Sequence, residues 1–392
     1  RSSGDIHYYR GLISIEDKDY RGTVKALENA KKYGAEASNI SEMLGASYFE
    51  LGDYQKTLDN LSVTAGSADA LAKIGVSHYE LKSYDEAVKF LNQAVAKGAS
   101  DTRVLYNLGN AQFRQKDYSG AIASYNKAIG AGASDEVIYN NRGKAKLLGK
   151  DLDGALSDFN EALQIKPDYA VALRNRGSVN YELGNYETVI TDLNDAVADG
   201  NGSKEEYLYL GVSKFKTGDQ SGALKDLEKA RTLGAGGGLL YYGLGNSQYA
   251  SGDFENAATS LEKVLGTEYA DGETYKNLGN ARYKLENYGG ALDALKQAVS
   301  AGVDDAETYH NLSHAYYEAK DFEEAISMAN KAIAKDGGYA SAYYHRGNAK
   351  FRVKNYESAI SDYDQAVGNG YNTALVYNNR GKAKQLLEKY DE

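Results

Sequence analysis

Three histidines lead the residues whose type and spacing could do chemistry. His310 and His314 lie four apart, on one face of a helix, and His345 belongs across from them on the next such helix. Two imidazoles at i, i+4 can chelate a divalent cation, so these three are the candidate metal ligands. A wet helical face produces the same spacing by chance, and no cofactor is assigned. Asn39, Asn60, Asn201 and Asn311 begin Asn-x-Ser/Thr sequons, and Asn201, in the open stretch DGNGSK, is the candidate glycosylation site. The chain has no cysteine, which excludes disulfides, thiolate metal sites and cysteine nucleophiles. No phosphate-cradling loop followed by Lys-Ser/Thr, no nucleophile elbow and no recurring carboxylate pair is present, and GAGGG (234–238) lacks the required lysine. The chain therefore reads as a non-enzyme.

The elements that carry these residues are set by a period. Gly75, Gly109, Gly143, Gly177, Gly211, Gly245, Gly279, Gly347 and Gly381 stand 34 or twice 34 residues apart, with Ser313 at the skipped place. Gly11 and Gly45 keep the spacing, and the step from Gly45 to Gly75 is 30. Such a period means one supersecondary unit that buries its apolar face only by stacking on copies of itself.

Within LYNLGNAQFRQKDYSGAIASYNKAIGAGA (105–133), Leu105, Leu108 and the Ala111/Phe113 pair follow helical spacing. Tyr118, Ala121, Ile122, Tyr125 and Ala128 then form the stripe of a second helix. Asp117 can cap that second helix, and Gly132 can close it in a left-handed conformation. Twelve residues after the glycine stands alanine in most repeats, as at Ala87, Ala121 and Ala155, with Thr23, Thr57 and Val189 in three others. Sixteen after stands a large apolar one, such as Leu91, Tyr125 or Phe159, with Ala329 the exception. Glycine recurs 23 residues on, at 34, 98, 132, 200, 234, 302 and 370, as a helix stop. The expected fold is all-α: about 11.5 helix–turn–helix repeats in one solenoid over 5–392. A short repeat falls near 40–70, with a truncated second helix, and a half repeat occupies 373–392.

This pattern resembles the tetratricopeptide repeat family over nearly the whole chain, as YNLGNAQF (106–113), YKNLGNARY (275–283) and YNNRGKAK (139–146) illustrate. The closing proline of that family survives only as Pro167, and the first-helix aromatic sits one residue late. The resemblance implies a right-handed superhelix whose concave groove, lined by first helices, binds peptides. By position it implies contacts from Asn107, Asn110, Asn141, Asn175, Asn246, Asn277, Asn280, Asn311, Asn348 and Asn379; the alternative is that these asparagines hold the stack together. Lys276, Asn280 and Asn311 match part of a clamp for a C-terminal carboxylate, but Ser341 and His345 replace its remaining basic residues. The aromatic row that includes Tyr79, Phe113, Tyr283 and Phe351 is expected to cover the hole beside each glycine, in the seam between first helices.

The bulk numbers narrow the partners. A formal charge of −10, with no basic tract, disfavours nucleic acid. No apolar run is long enough to span a bilayer. The lack of cysteine and of an initiator methionine favours an exported location over the cytoplasm. Tyr106–Lys146 and Tyr344–Lys384, seven repeats apart, match at 22 of 41 positions. Two functional readings follow. One is a protein-interaction scaffold for peptide segments; the other is a fibre of copies stacked head to tail through uncapped terminal repeats.

Overall fold

The computed structural model describes residues 3–61 and 66–390. Among them are 23 α-helices and no strand, as the repeat predicts. Contacts divide the chain into two units, Arg1–Leu183 and Gly184–Glu392. Within each unit consecutive helices pack against one another, and from Ile40–Glu50 onward the first helix of one repeat also touches the first helix of the next.

One hairpin shows how sequence sets the geometry. The first helix, Thr102–Arg114, is capped by Asp101, whose carboxylate accepts from the Arg103 amide. Lys116 then enters the left-handed region at φ 65°, turning the chain. Asp117 follows as the cap of Tyr118–Gly130; its Oδ1 accepts from the Gly120 amide at 2.9 Å. Gly132, at φ 105°, closes that helix, and every predicted helix-stop glycine has positive φ.

The turn after the first helix has a cost that its sequence does not announce. Seven residues past each repeat glycine the backbone is left-handed in every complete repeat. Gly52, Gly184, Gly218 and Gly252 fill some of these places, but Lys18, Lys82, Lys116, Lys150, Glu286, Lys320 and Lys354 fill the rest. A residue with a Cβ is strained there by roughly 1–2 kcal/mol.

The core contact is a side chain driven into the notch beside the repeat glycine. A Cβ added to Gly109 would lie 2.7 Å from the Tyr125 ring, one on Gly143 2.8 Å from Phe159, and one on Gly279 2.5 Å from Leu295. The residue that fills the notch therefore comes from the second helix, sixteen positions on, and is fully buried. This corrects the expectation that the first-helix aromatic covers it. That ring instead pairs with the first residue of the second helix across the turn, as in Phe113–Tyr118 at 5.6 Å and Tyr283–Tyr288 at 5.8 Å. The repeat that lacks glycine also lacks the large partner: Ser313 stands with Ala329, and the Ser313 hydroxyl donates to the Ala325 carbonyl at 2.8 Å.

Two irregularities break the array. The second helix of the short repeat, Tyr54–Leu61, has 8 residues where Tyr84–Ala96 has 13. Part of the shortened stretch, 62–65, lies outside the described residues. The half repeat at the C-terminus is a single helix, Ala374–Tyr390, whose 17 residues pass the point where other first helices turn.

Two measurements check this reading. Ala329→Leu alone should cost about 1–3 kcal/mol by overpacking against Ser313, and Ser313→Gly in the same chain should recover most of it. A urea-melt cycle that gives purely additive effects would show that the two positions do not meet. Lys150→Gly should raise the midpoint by about 0.5 kcal/mol equivalent, because relief of strain exceeds the extra unfolded-state entropy of glycine.

Candidate functional site

The asparagines singled out from the sequence form pairs between successive first helices. Asn277 Nδ2 donates to Asn246 Oδ1 at 2.8 Å, and Asn311 to Asn280 at 2.9 Å. Asn379 donates to Asn348 at 3.1 Å, and Asn141 reaches Asn110 at 3.5 Å. Each pair joins the residue after one repeat glycine to the residue two before the next, 31 positions on. Asn175 donates to Asn140, and Asn107 to its own helix at the Arg103 carbonyl. Asn107, Asn246, Asn277, Asn280 and Asn311 are buried, whereas Asn110, Asn141, Asn175, Asn348 and Asn379 keep part of their surface open. The amides thus knit neighbouring repeats, and the half-open ones also border solvent.

A cavity of about 200 Å³ lies on this first-helix face of the first unit. Tyr79, Tyr106, Phe113 and Tyr125 supply its rings, Asn110 and Asn141 its amides, and Arg114 and Lys144 its charge. The Tyr125 hydroxyl donates to Asn110 Oδ1 at 2.8 Å, and Asn141 Nδ2 donates to the Tyr106 hydroxyl at 2.9 Å. Burial pushes the phenols of Tyr106 and Tyr125 upward, so both remain neutral donors. Tyr106, Tyr125, Arg114 and Lys144 were not among the residues expected to bind. The signal that contained them was the long-range internal match of Tyr106–Lys146.

The three histidines do come together, in the second unit. The His345 ring lies 4.2 Å from His314 and 5.0 Å from His310, centroid to centroid. Two of the nitrogens are engaged outside the cluster: His314 Nδ1 pairs with the Tyr283 hydroxyl at 2.8 Å, and His310 Nδ1 with Asn311 Oδ1 at 3.0 Å, while the buried His310 Nε2 has no hydrogen-bond partner. Among the described residues, no group of three or more His, Asp or Glu side chains is placed to hold a metal ion. The cluster is a stack of neutral rings. Burial lowers His310 to about 4 and His345 well below its ordinary value. His314 is also lowered by burial, against the pull of Glu318, whose carboxylate lies 3.4 Å from Nε2.

The remaining candidates are placed as follows. Lys276, read as part of a carboxylate clamp, is engaged by Asp305 at 3.1 Å and approached by Glu307 at 3.8 Å. Asn201 is exposed before the helix Lys204–Lys216, and its side-chain amide donates to Asp199 at 3.2 Å. Two aspartates are clamped in the same manner in different units. Asp158 is gripped by Arg142 and Lys146, and Asp362 by Arg346 and Lys350, all at 2.5–2.9 Å.

Comparison with known proteins places this geometry. Tetratricopeptide repeat profiles match residues 73–136, 242–307 and 310–374, and a second profile of the same description matches 137–169; together these are more than half of the chain. No protein of curated function matches the sequence. Among solved structures, the chain is similar to a tetratricopeptide repeat protein from Parabacteroides merdae, with 21% identity over 63% of this chain and 98% of that one, at TM-score 0.40. It is similar to YrrB, a TPR protein with an unusual peptide-binding site, with 20% identity over 67% of this chain and 100% of that one, at TM-score 0.34. The first TPR of Spaghetti (RPAP3) bound to an HSP90 peptide matches with 29% identity over 30% of this chain and 94% of that one, at TM-score 0.29. Overlaps this low carry nothing about ligands.

The histidine stack yields a pH dependence. His310 binds its proton near pH 4 when folded and near 6.5 when unfolded. Below 6.5 the unfolded chain therefore binds more protons, and stability falls as the pH drops toward 4. His310 alone should remove roughly 3 kcal/mol across that window. Urea midpoints of the wild type and His310→Leu, measured from pH 7.5 to 4.5, should diverge with a steeper fall in the wild type. Parallel curves would overturn the assignment.

Proposed function

The chain belongs to the tetratricopeptide repeat family, and from that premise we propose that it is a non-enzymatic scaffold that holds peptide segments of partner proteins on its first-helix face. The observation that carries this is the cavity framed by Tyr79, Tyr106, Asn110 and Asn141. It presents rings, amides and cations from three successive first helices on one surface. An extended peptide needs such mixed partners, with amide groups for its backbone and rings for its side chains. Asn141 bonds to the Tyr106 hydroxyl and reaches Asn110, and Tyr125 bonds to Asn110, so these binding groups are held in place before a ligand arrives and less ordering free energy is lost on binding.

Partner proteins, rather than nucleic acid, suit a surface of net charge −10. Among the described residues no helix is long and apolar enough to cross a membrane. The half-open asparagines Asn110, Asn141, Asn175, Asn348 and Asn379 are the amides placed to meet a peptide backbone. The buried Asn246, Asn277, Asn280 and Asn311 pair with one another instead, and Asn107 bonds to its own helix. The finer alternative, copies stacked head to tail into a fibre, is decided on the same preparation by light scattering at high concentration.

Hydrogen exchange gives the test. A capped random-peptide library is screened against the pure chain, and the selected peptides are expected to bind in the micromolar range and to slow amide exchange in first helices more than in second helices. Failure to select any peptide, or protection confined to second helices, would remove the proposal.

A further inference from the structure

We propose that the chain carries two copies of one peptide-recognition site, one in each unit, each built to take an acidic side chain next to an apolar one. The inference rests on the scaffold reading above and adds to it a ligand chemistry and a stoichiometry.

The observation is a residue-for-residue recurrence. Every residue that lines the first-unit cavity has an identical counterpart 238 positions on, in the second unit. The rings Tyr79 and Tyr106 return as Tyr317 and Tyr344, and Phe113 and Tyr125 return as Phe351 and Tyr363. The amides Asn110 and Asn141 return as Asn348 and Asn379, and the cations Arg114 and Lys144 as Arg352 and Lys382. The surrounding segments agree at only 22 of 41 positions, so the cavity set is matched more completely than the chain around it. The adjacent repeat does not share the set. Thirty-four residues past Arg114 and Tyr106 stand Leu148 and Asn140.

The geometry recurs with the residues. Tyr363 donates to Asn348 at 2.9 Å, as Tyr125 does to Asn110 at 2.8 Å. Asn379 approaches the Tyr344 hydroxyl at 3.4 Å, as Asn141 does the Tyr106 hydroxyl at 2.9 Å. The Tyr344 and Tyr363 rings lie 6.1 Å apart at 46°, and Tyr106 and Tyr125 lie 6.0 Å apart at 46°. Local stacking alone does not require this, because the other repeats stack equally well with different residues at these places.

The chemistry points to an anion with an apolar neighbour. No carboxylate lines the cavity, in a chain whose acids outnumber its bases by 55 to 45. Arg114 and Lys144 are exposed and form no ion pair among the described residues. Two unpaired cations beside ring faces and neutral phenols offer a carboxylate charge-assisted hydrogen bonds, and offer its neighbour an apolar floor. In the second copy the Arg352 guanidinium lies 6.0 Å from the Tyr317 ring and 4.8 Å from Phe322, which holds it over the aromatic floor.

The test uses the full chain and a capped random hexapeptide library. Selected peptides are expected to carry Asp or Glu beside an apolar or aromatic residue, and a chosen one to bind by calorimetry at two per chain. R114E/K144E and R352E/K382E should each leave one, and the fourfold variant none; circular dichroism confirms that these surface variants fold. K116E/K150E makes the same charge change on turns and should leave two. Replacing the acid in the peptide by its amide should weaken binding at least ~10-fold, as expected for loss of a charge-assisted contact. Acid-free peptides, a single binding event, or binding indifferent to these substitutions would overturn the two-site inference while leaving the scaffold reading intact. A library that yields no ligand at all would overturn the scaffold reading itself.

Discussion

Everything in the structure depends on one close approach: a large side chain of the second helix seated where the first helix has no Cβ. Helix backbones normally keep 8–10 Å apart because side chains stand between them. Removing the Cβ at Gly75, Gly109 or Gly279 lets Leu91, Tyr125 or Leu295 fill the space instead. The fit is mutual, as the repeat with Ser313 shows. There the notch is already occupied by a hydroxymethyl group, and the facing residue has shrunk to Ala329. Volume is kept across the pair, which is what a close-packed interior demands.

With the hairpin fixed by that contact, the first-helix positions on either side of the glycine are released for other work. Two of them carry the asparagine pairs that tie neighbouring repeats at four junctions. Buried amides of this kind are stabilising only when satisfied, and the chain Asn277 to Asn246 to the Tyr242 carbonyl meets that demand with bonds of 2.8 Å. The same positions where half exposed, Asn110 and Asn348, sit at the edge of the recurring ring-and-cation cluster. One residue type at one register is thus buried in some repeats and half exposed in others.

How much of this the sequence disclosed follows from what a period can and cannot carry. Glycine spacing announces helices, their pairing and their stops, because glycine has few other reasons to recur. The left-handed turn was hidden, since lysine at 82, 116 or 150 gives no sign that its backbone is strained. The filler of the glycine notch was read wrongly, because Phe113 and Tyr125 are both aromatic and spacing alone does not say which helix reaches the hole. The histidines were legible as a cluster, but whether their nitrogens converge depends on ring orientation. Tyr283 and Asn311 settled that by taking one nitrogen each. Arg114 and Lys144 went unnoticed because a surface cation resembles any other until three helices bring it beside a ring.

The two copies of the cluster share their groups and differ in what backs them. Behind the second copy His314 and His345 stand where the first has Val76 and Asn107, and Tyr371, at 4.8 Å from Tyr344, stands where the first has Ala133. These changes add rings against Tyr344 and leave its hydroxyl 3.4 Å from Asn379 Nδ2. Burial lowers both imidazoles, His314 against the pull of Glu318, so they disfavour added positive charge beside Arg352 and Lys382. The rings, amides and cations of the cluster are thus kept the same while the residues packed against them vary, which is the pattern the proposed pair of sites calls for.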